Sequence, residues 1–100
     1  MSARAAYMIK MVLLAEGPLS IWDVWKRLRQ LGYRYKYDTI AKYMRILRSL
    51  GLVEIVGTAP CKFGCTEDRK LHAVVREHVN HPCWEKPREC YEQLQLAIFF

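Results

Sequence analysis

Residues 35–53 read YKYDTIAKYMRILRSLGLV, in which tyrosines alternate with lysines and arginines before a Leu-Gly-Leu-Val ending. At helical pitch Ile40, Met44, Leu47 and Gly51 share one narrow arc, with Tyr43 and Leu50 beside it, while Asp38, Lys42, Arg45 and Ser49 occupy the opposite face. The stretch therefore predicts an amphipathic helix that follows Asp38 as its N-cap. It stops at Gly51, the residue type that most readily adopts the left-handed conformation closing a helix.

Working outward, two more helices are expected before it. The first covers residues 2–16 and stops at Gly17-Pro18. The second has Ser20 as N-cap and Asp23 at its third position, where a carboxylate suits the helix N-terminus, and it stops at Gly32. In it Ile21, Val24, Trp25, Leu28 and Leu31 recur at helical spacing, leaving Trp22, Lys26, Arg27 and Arg29 on the rim. After Gly51 the pattern changes to short β-branched runs, LVEIV at 52–56 and LHAVV at 71–75, which should pair antiparallel. The intervening GTAPCKFGCTEDRK is polar and turn-forming, and long for a hairpin connection. A last helix is expected from about Pro87, with Arg88 and Glu92 as an i,i+4 pair. The order predicts an α+β, mainly α fold: a domain over residues 1–76, and an extension over 77–100 that carries two cysteines and a helix.

The balance of 52% hydrophobic and 26% charged residues in a chain of 100 is that of one globular domain with one core, which excludes disordered and collagen-like classes. The N-terminal apolar stretch is broken by Lys10, ends in Glu16 and Gly17, and lacks a small-residue cleavage pattern. It reads as a helix and not as a secretion signal or membrane span, so an intracellular location is expected. Charge is unevenly placed. Residues 22–48 hold eight lysines and arginines against Asp23 and Asp38, so this segment alone carries the chain's net +6 and the rest sums to zero. Such a local excess is the footprint expected for a polyanionic partner.

Helix, helix, helix and hairpin, with Gly-Leu-Val joining the third helix to its strand, resembles the winged helix-turn-helix family. The specific part is PLSIWDVWKRL followed by YKYDTIAKYMRILRSLGLV, which looks like the second and third helices of archaeal and bacterial winged-helix regulators. The resemblance covers about residues 1–75. It implies that the third helix enters the major groove of double-stranded DNA with its N-terminal half, so that Tyr37, Thr39, Lys42 and Arg45 face the bases. Arg34, Tyr35 and Lys36, just before the helix, would then meet backbone phosphates, as would Lys62, Arg69 and Lys70 in the wing. The function implied is sequence-specific DNA binding in transcription regulation. The competing reading is a winged helix used only for protein–protein contact, since tyrosine and arginine also favour such interfaces.

Four cysteines remain: Cys61 and Cys65 between the two strand patterns, and Cys83 and Cys90 after them. They could close a tetrahedral structural zinc site, with His81 as substitute ligand should one cysteine not serve. The three-residue spacing of the first pair fits a metal knuckle and the six-residue spacing of the second does not. Disulfides are the alternative, which in an intracellular protein would indicate a hyperthermophile, and a single asparagine agrees with a hot habitat. Free thiols are the third option. Either linkage would staple the segment between the strands to the C-terminal extension. His72 falls in the strand pattern and reads as a packed or wing-face residue.

No HExxH helix, glycine-rich phosphate loop or nucleophile elbow is present in the sequence, so an enzyme is not expected. The first helix is apolar around most of its circumference, and the last presents Tyr91, Leu94, Leu96, Ile98, Phe99 and Phe100. These two helices are expected to form a homodimer interface, setting two third helices about one DNA turn apart.

Overall fold

The computed structural model describes residues 1–60 and 69–99. It is α+β and mainly helical. Four α-helices, α1 (Ala3–Glu16), α2 (Ile21–Gln30), α3 (Tyr37–Ser49) and α4 (Pro87–Phe99), accompany one antiparallel pair, β1 (Val53–Ala59) and β2 (Arg69–Val74), among the described residues. Two short 3-10 turns, Arg76–His78 and Pro82–Trp84, join β2 to α4. The layout is compatible with that of a winged helix.

Local chemistry fixes the helix ends. Ser2 accepts the Ala5 amide through its hydroxyl at 3.1 Å, and Ser20 accepts that of Asp23 at 3.2 Å. Ser20 also donates to the Asp23 carboxylate at 2.8 Å, so serine and aspartate satisfy each other at the start of α2. At the far ends Gly32 and Gly51 take positive φ of 95° and 75°. The next amides bond back across the last turn, Tyr33 to the Leu28 carbonyl at 2.9 Å and Leu52 to that of Leu47 at 3.0 Å. Both helices thus close in the same glycine-terminated motif, which turns the chain sharply at each end.

α3 begins two residues earlier than the capping argument predicts. Lys36 occupies the N-cap position with no side-chain bond to the helix, and Asp38 lies inside the first turn. There it faces the positive end of the helix dipole, a sufficient reason for an acid at that place. The strands also run beyond their apolar patterns. β1 continues through Gly57 and Thr58 to Ala59, and β2 starts at Arg69, because backbone pairing persists after side-chain alternation has ended. The register runs from Val53 opposite Val74 to Ala59 opposite Arg69, with a bulge between Ile55 and Gly57.

The core is built where the elements converge. Ala6, Ile9, Val12 and Leu13 of α1 meet Val24 and Leu28 of α2, Ile40, Met44 and Leu47 of α3, and Leu52 and Val53 at the root of the hairpin. Each large aliphatic side chain buried here contributes on the order of 1.5–3 kcal/mol. Leu31, assigned by spacing to the inner face of α2, lies past the helix end and is exposed. Trp84 joins the same core from the C-terminal extension at 4% exposure, and its indole donates to the His78 carbonyl at 2.8 Å. The extension is therefore anchored in the main core. No helix among the described residues is long and apolar enough to cross a membrane.

One pairing has no counterpart in the sequence patterns. Leu19, in the turn between α1 and α2, exchanges two backbone hydrogen bonds with His72 of β2, at 3.0 and 2.7 Å. This bridge lays the turn along the outer edge of β2 and brings the N-terminus of α2 beside the hairpin.

Candidate nucleic-acid interface

The cations predicted from the sequence stand clear of the core. Arg34, Lys36, Lys42 and Arg45 are exposed at the leading end of α3 and along its outer face, and Thr39 is half-buried among them. Lys70 is exposed on β2. None of these five cations forms an ion pair among the described residues, whereas Arg69 reaches the Asp23 carboxylate at 3.9 Å.

The tyrosines are packed into an aromatic band. Tyr35 is half-buried, parallel to Tyr33 at 6.5 Å between ring centroids and edge-on to Tyr43 at 6.0 Å. Tyr37 lies 5.9 Å from Trp22 and 6.1 Å from Trp25, and those two indoles are 4.8 Å apart. Arg29 sits over Trp25 at 5.5 Å, a cation–π arrangement. An aromatic band thus welds the segment before α3 to α2 and sets the height at which Lys36 and Arg34 are presented. Tyr37 still keeps 40% of its surface and Trp22 45%. Both edges of the band are open to a partner.

Between the N-terminus of α2, one face of α3 and β2 runs an open groove of about 480 Å³. Its walls carry Arg45 and Arg48 from α3, Arg69 and Lys70 from β2, and the aromatic rings of Trp22 and Tyr37. Its floor includes Ser20 and His72, which are 3% and 1% exposed. The His72 Nδ1 lies 3.0 Å from the Lys70 carbonyl, and burial, with the Arg48 guanidinium near it, holds the ring's pKa below the usual 6.5. Two buried nitrogens, Nε2 of His72 and Nε of Arg48, have no partner among the described residues.

Sequence reasoning missed Arg48, His72, Ser20 and Trp22 as parts of this surface. A signal for Arg48 was present: Tyr37, Ala41, Arg45 and Arg48 follow helical spacing and form one stripe beside the Lys42 face. His72 carried no comparable mark, because its position depends on the long-range bridge to Leu19.

Of the expected zinc ligands, Cys61 and Cys65 lie outside the described residues, as does Lys62. Cys83 and Cys90 are bonded to each other, the disulfide alternative for that pair. The bond ties the turn at Pro82–Trp84 to the first turns of α4, so it staples the extension to itself and not to the segment between the strands. His81 uses Nδ1 to accept the Cys83 amide at 3.0 Å, which makes it the cap of that turn. No group of three or more metal-binding side chains occurs among the described residues.

Comparison of the chain with protein-family models, curated proteins and solved structures finds no match.

Proposed function

We propose that this chain is a winged helix-turn-helix protein that binds double-stranded DNA sequence-specifically and regulates transcription. The observation that carries the reading is the outer face of α3 and its approach, where Arg34, Lys36, Lys42 and Arg45 are exposed without ion-pair partners among the described residues. A helix of this width fits the major groove. Cations left unpaired on it can exchange their water and counterions for phosphates, and those at the groove-facing positions can reach guanine edges. In this reading Tyr37, Thr39, Lys42 and Arg45 face the bases. Arg34, Tyr35, Lys36, Lys62, Arg69 and Lys70 hold the backbone.

The test is a titration of labelled random duplex at several salt concentrations, followed by selection of preferred sequences from a random pool. Binding that weakens steeply with salt, with enrichment of one sequence, is expected. No binding at low salt refutes the reading. It would favour the protein-contact alternative, for which the exposed Trp22 and Tyr37 beside arginines are the supporting observation.

A homodimer is part of the same reading. Tyr7, Met11 and Leu14 on α1 and Leu96 on α4 are exposed apolar side chains, each at least 41% accessible. Their burial between two copies would present two α3 helices to successive turns of DNA. Light scattering at micromolar protein tests this, and a monomeric mass refutes it. Zinc remains the proposal for the reduced chain, in which Cys83 and Cys90 would be free to serve as thiolate ligands together with Cys61 and Cys65. Metal analysis of protein purified under reductant decides it. An intracellular site of action follows from DNA as partner, and no catalytic role is proposed.

A further inference from the structure

We propose that the groove between α2, α3 and β2 is a phosphodiester site, in which Arg48 and Arg69 hold phosphoryl oxygens and His72 joins them by taking up a proton as the anion binds. Four cations converge on one open groove, and two of its lining residues carry buried nitrogens without partners among the described residues, Nε2 of His72 on the floor and Nε of Arg48 on the wall. Buried polar atoms in folded proteins nearly always have partners, so two orphans on residues that line the same groove mark a place where a partner is missing: the Arg48 Nε–H calls for an acceptor, and His72 Nε2 calls for one once it is protonated. A phosphodiester presents two anionic oxygens and matches the fork of an arginine.

The hydrogen bonds already made fix the ring's tautomer. The Lys70 carbonyl can only accept, so Nδ1 carries the proton and Nε2 of the neutral ring is bare. In the free protein the ring stays neutral because it is buried and because Arg48 is near it. Arg45 on α3 and Arg69 and Lys70 on β2 add positive charge around the groove, while the Asp23 carboxylate is already engaged by Ser20 and Arg69. An anion in the groove reverses the balance. It offsets the cations and offers Nε2 an acceptor, so protonating the ring becomes favourable and a second N–H is gained. Binding therefore tightens as pH falls through the His72 midpoint of the complex. The diester keeps one negative charge through this range, so the dependence belongs to the protein.

Duplex DNA as the source of the phosphate rests on the DNA-binding reading, while the diester chemistry does not. The groove runs beside the Lys42 and Arg45 face of α3, so a strand crossing that helix can lower one phosphate into it.

The experiment follows the His72 ring by nuclear magnetic resonance in the full chain from about pH 5 to pH 8, a range that brackets histidine titration. It is run alone, with dithymidine phosphodiester, and with a short random duplex, at constant ionic strength. His78 and His81, in the turns before α4, serve as internal controls. The expected result is an upward shift of the His72 midpoint by at least about one pH unit, which corresponds to roughly tenfold tighter binding to the protonated ring. A shift with both probes, or with the duplex alone, supports the site. A shift with the dinucleotide in a protein that ignores duplex supports the site and refutes the DNA reading. A duplex that binds by anisotropy while the His72 midpoint stays fixed overturns the site and leaves the DNA reading intact. If neither probe moves the ring and no duplex binds, both fall. As a second measurement, Arg48→Gln, on the groove wall, should reduce the midpoint shift, and an undiminished shift also overturns the site.

Discussion

The indole of Trp25 on α2 donates to the backbone carbonyl of Tyr35 at 2.9 Å, one residue before the N-cap of α3. This bond holds the approach to α3 against α2 and so sets where Lys36 and Arg34 project. Trp25→Phe keeps a ring in the aromatic band but removes the donor. It should cost about 1 kcal/mol of stability, the net worth of an ordinary hydrogen bond, measured by urea unfolding. Because the approach is loosened, DNA affinity should fall by more than the small loss of folded protein explains.

Substitutions on the basic face should separate into two classes. Lys42→Ala and Arg45→Ala should each weaken binding to a selected sequence by about 1 to 3 kcal/mol if they read base edges, with a smaller effect on random duplex. Changes at Lys36, Lys62, Arg69 or Lys70 should weaken binding on all sequences and lower the salt slope by about one unit each. Equal losses on random DNA in both classes would refute sequence-specific readout by α3.

Stability should depend on pH through His72. Its folded-state pKa lies below the unfolded value of 6.5, so the unfolded chain binds the extra proton more readily. The stabilisation is complete above about pH 7.5 and declines as pH falls through 6.5 towards the folded-state value. Urea midpoints for the wild type should drop over that interval, and those for His72→Gln should lose this component. A wild-type profile that is flat across it would show that the ring is not held neutral.

Reducing the Cys83–Cys90 bond should lower stability by roughly 2 to 3 kcal/mol, the value expected for closing so short a loop. The loss should be confined largely to the C-terminal extension. Hydrogen exchange should show α4 and the turn at Pro82–Trp84 opening first, with the α1, α2 and α3 amides still protected. An unchanged melting temperature under reductant would refute the staple.

The parts of the fold legible in sequence were those written in local code. Ser2, Ser20, Gly17, Gly32 and Gly51 mark helix ends because capping and positive φ are decided within a few residues. The inner arc of α3, with Ile40, Met44 and Leu47 fully buried, follows from helical pitch alone. The packing of Tyr35 and Tyr37 was not legible, because their partners, Tyr33, Tyr43 and the two tryptophans, are brought to them by the crossing of α2 and α3. His72 is the sharpest case. A strand histidine acquires a buried, charged setting only after Leu19 has been laid beside it and Arg48 has swung over from α3.

The Leu19–His72 bridge also bears on the order in which the molecule assembles. Its two residues are more than half the chain apart, so closing it loses more chain entropy than a helical turn, and it is expected to follow the helices in time. The floor of the groove is made by that closure. A chain still emerging from the ribosome can form α1, α2 and α3 and display every cation of α3, yet it lacks β2 and with it His72. On the proposed reading, electrostatic attraction to nucleic acid would thus appear early in synthesis, and proton-linked recognition only once that contact is made.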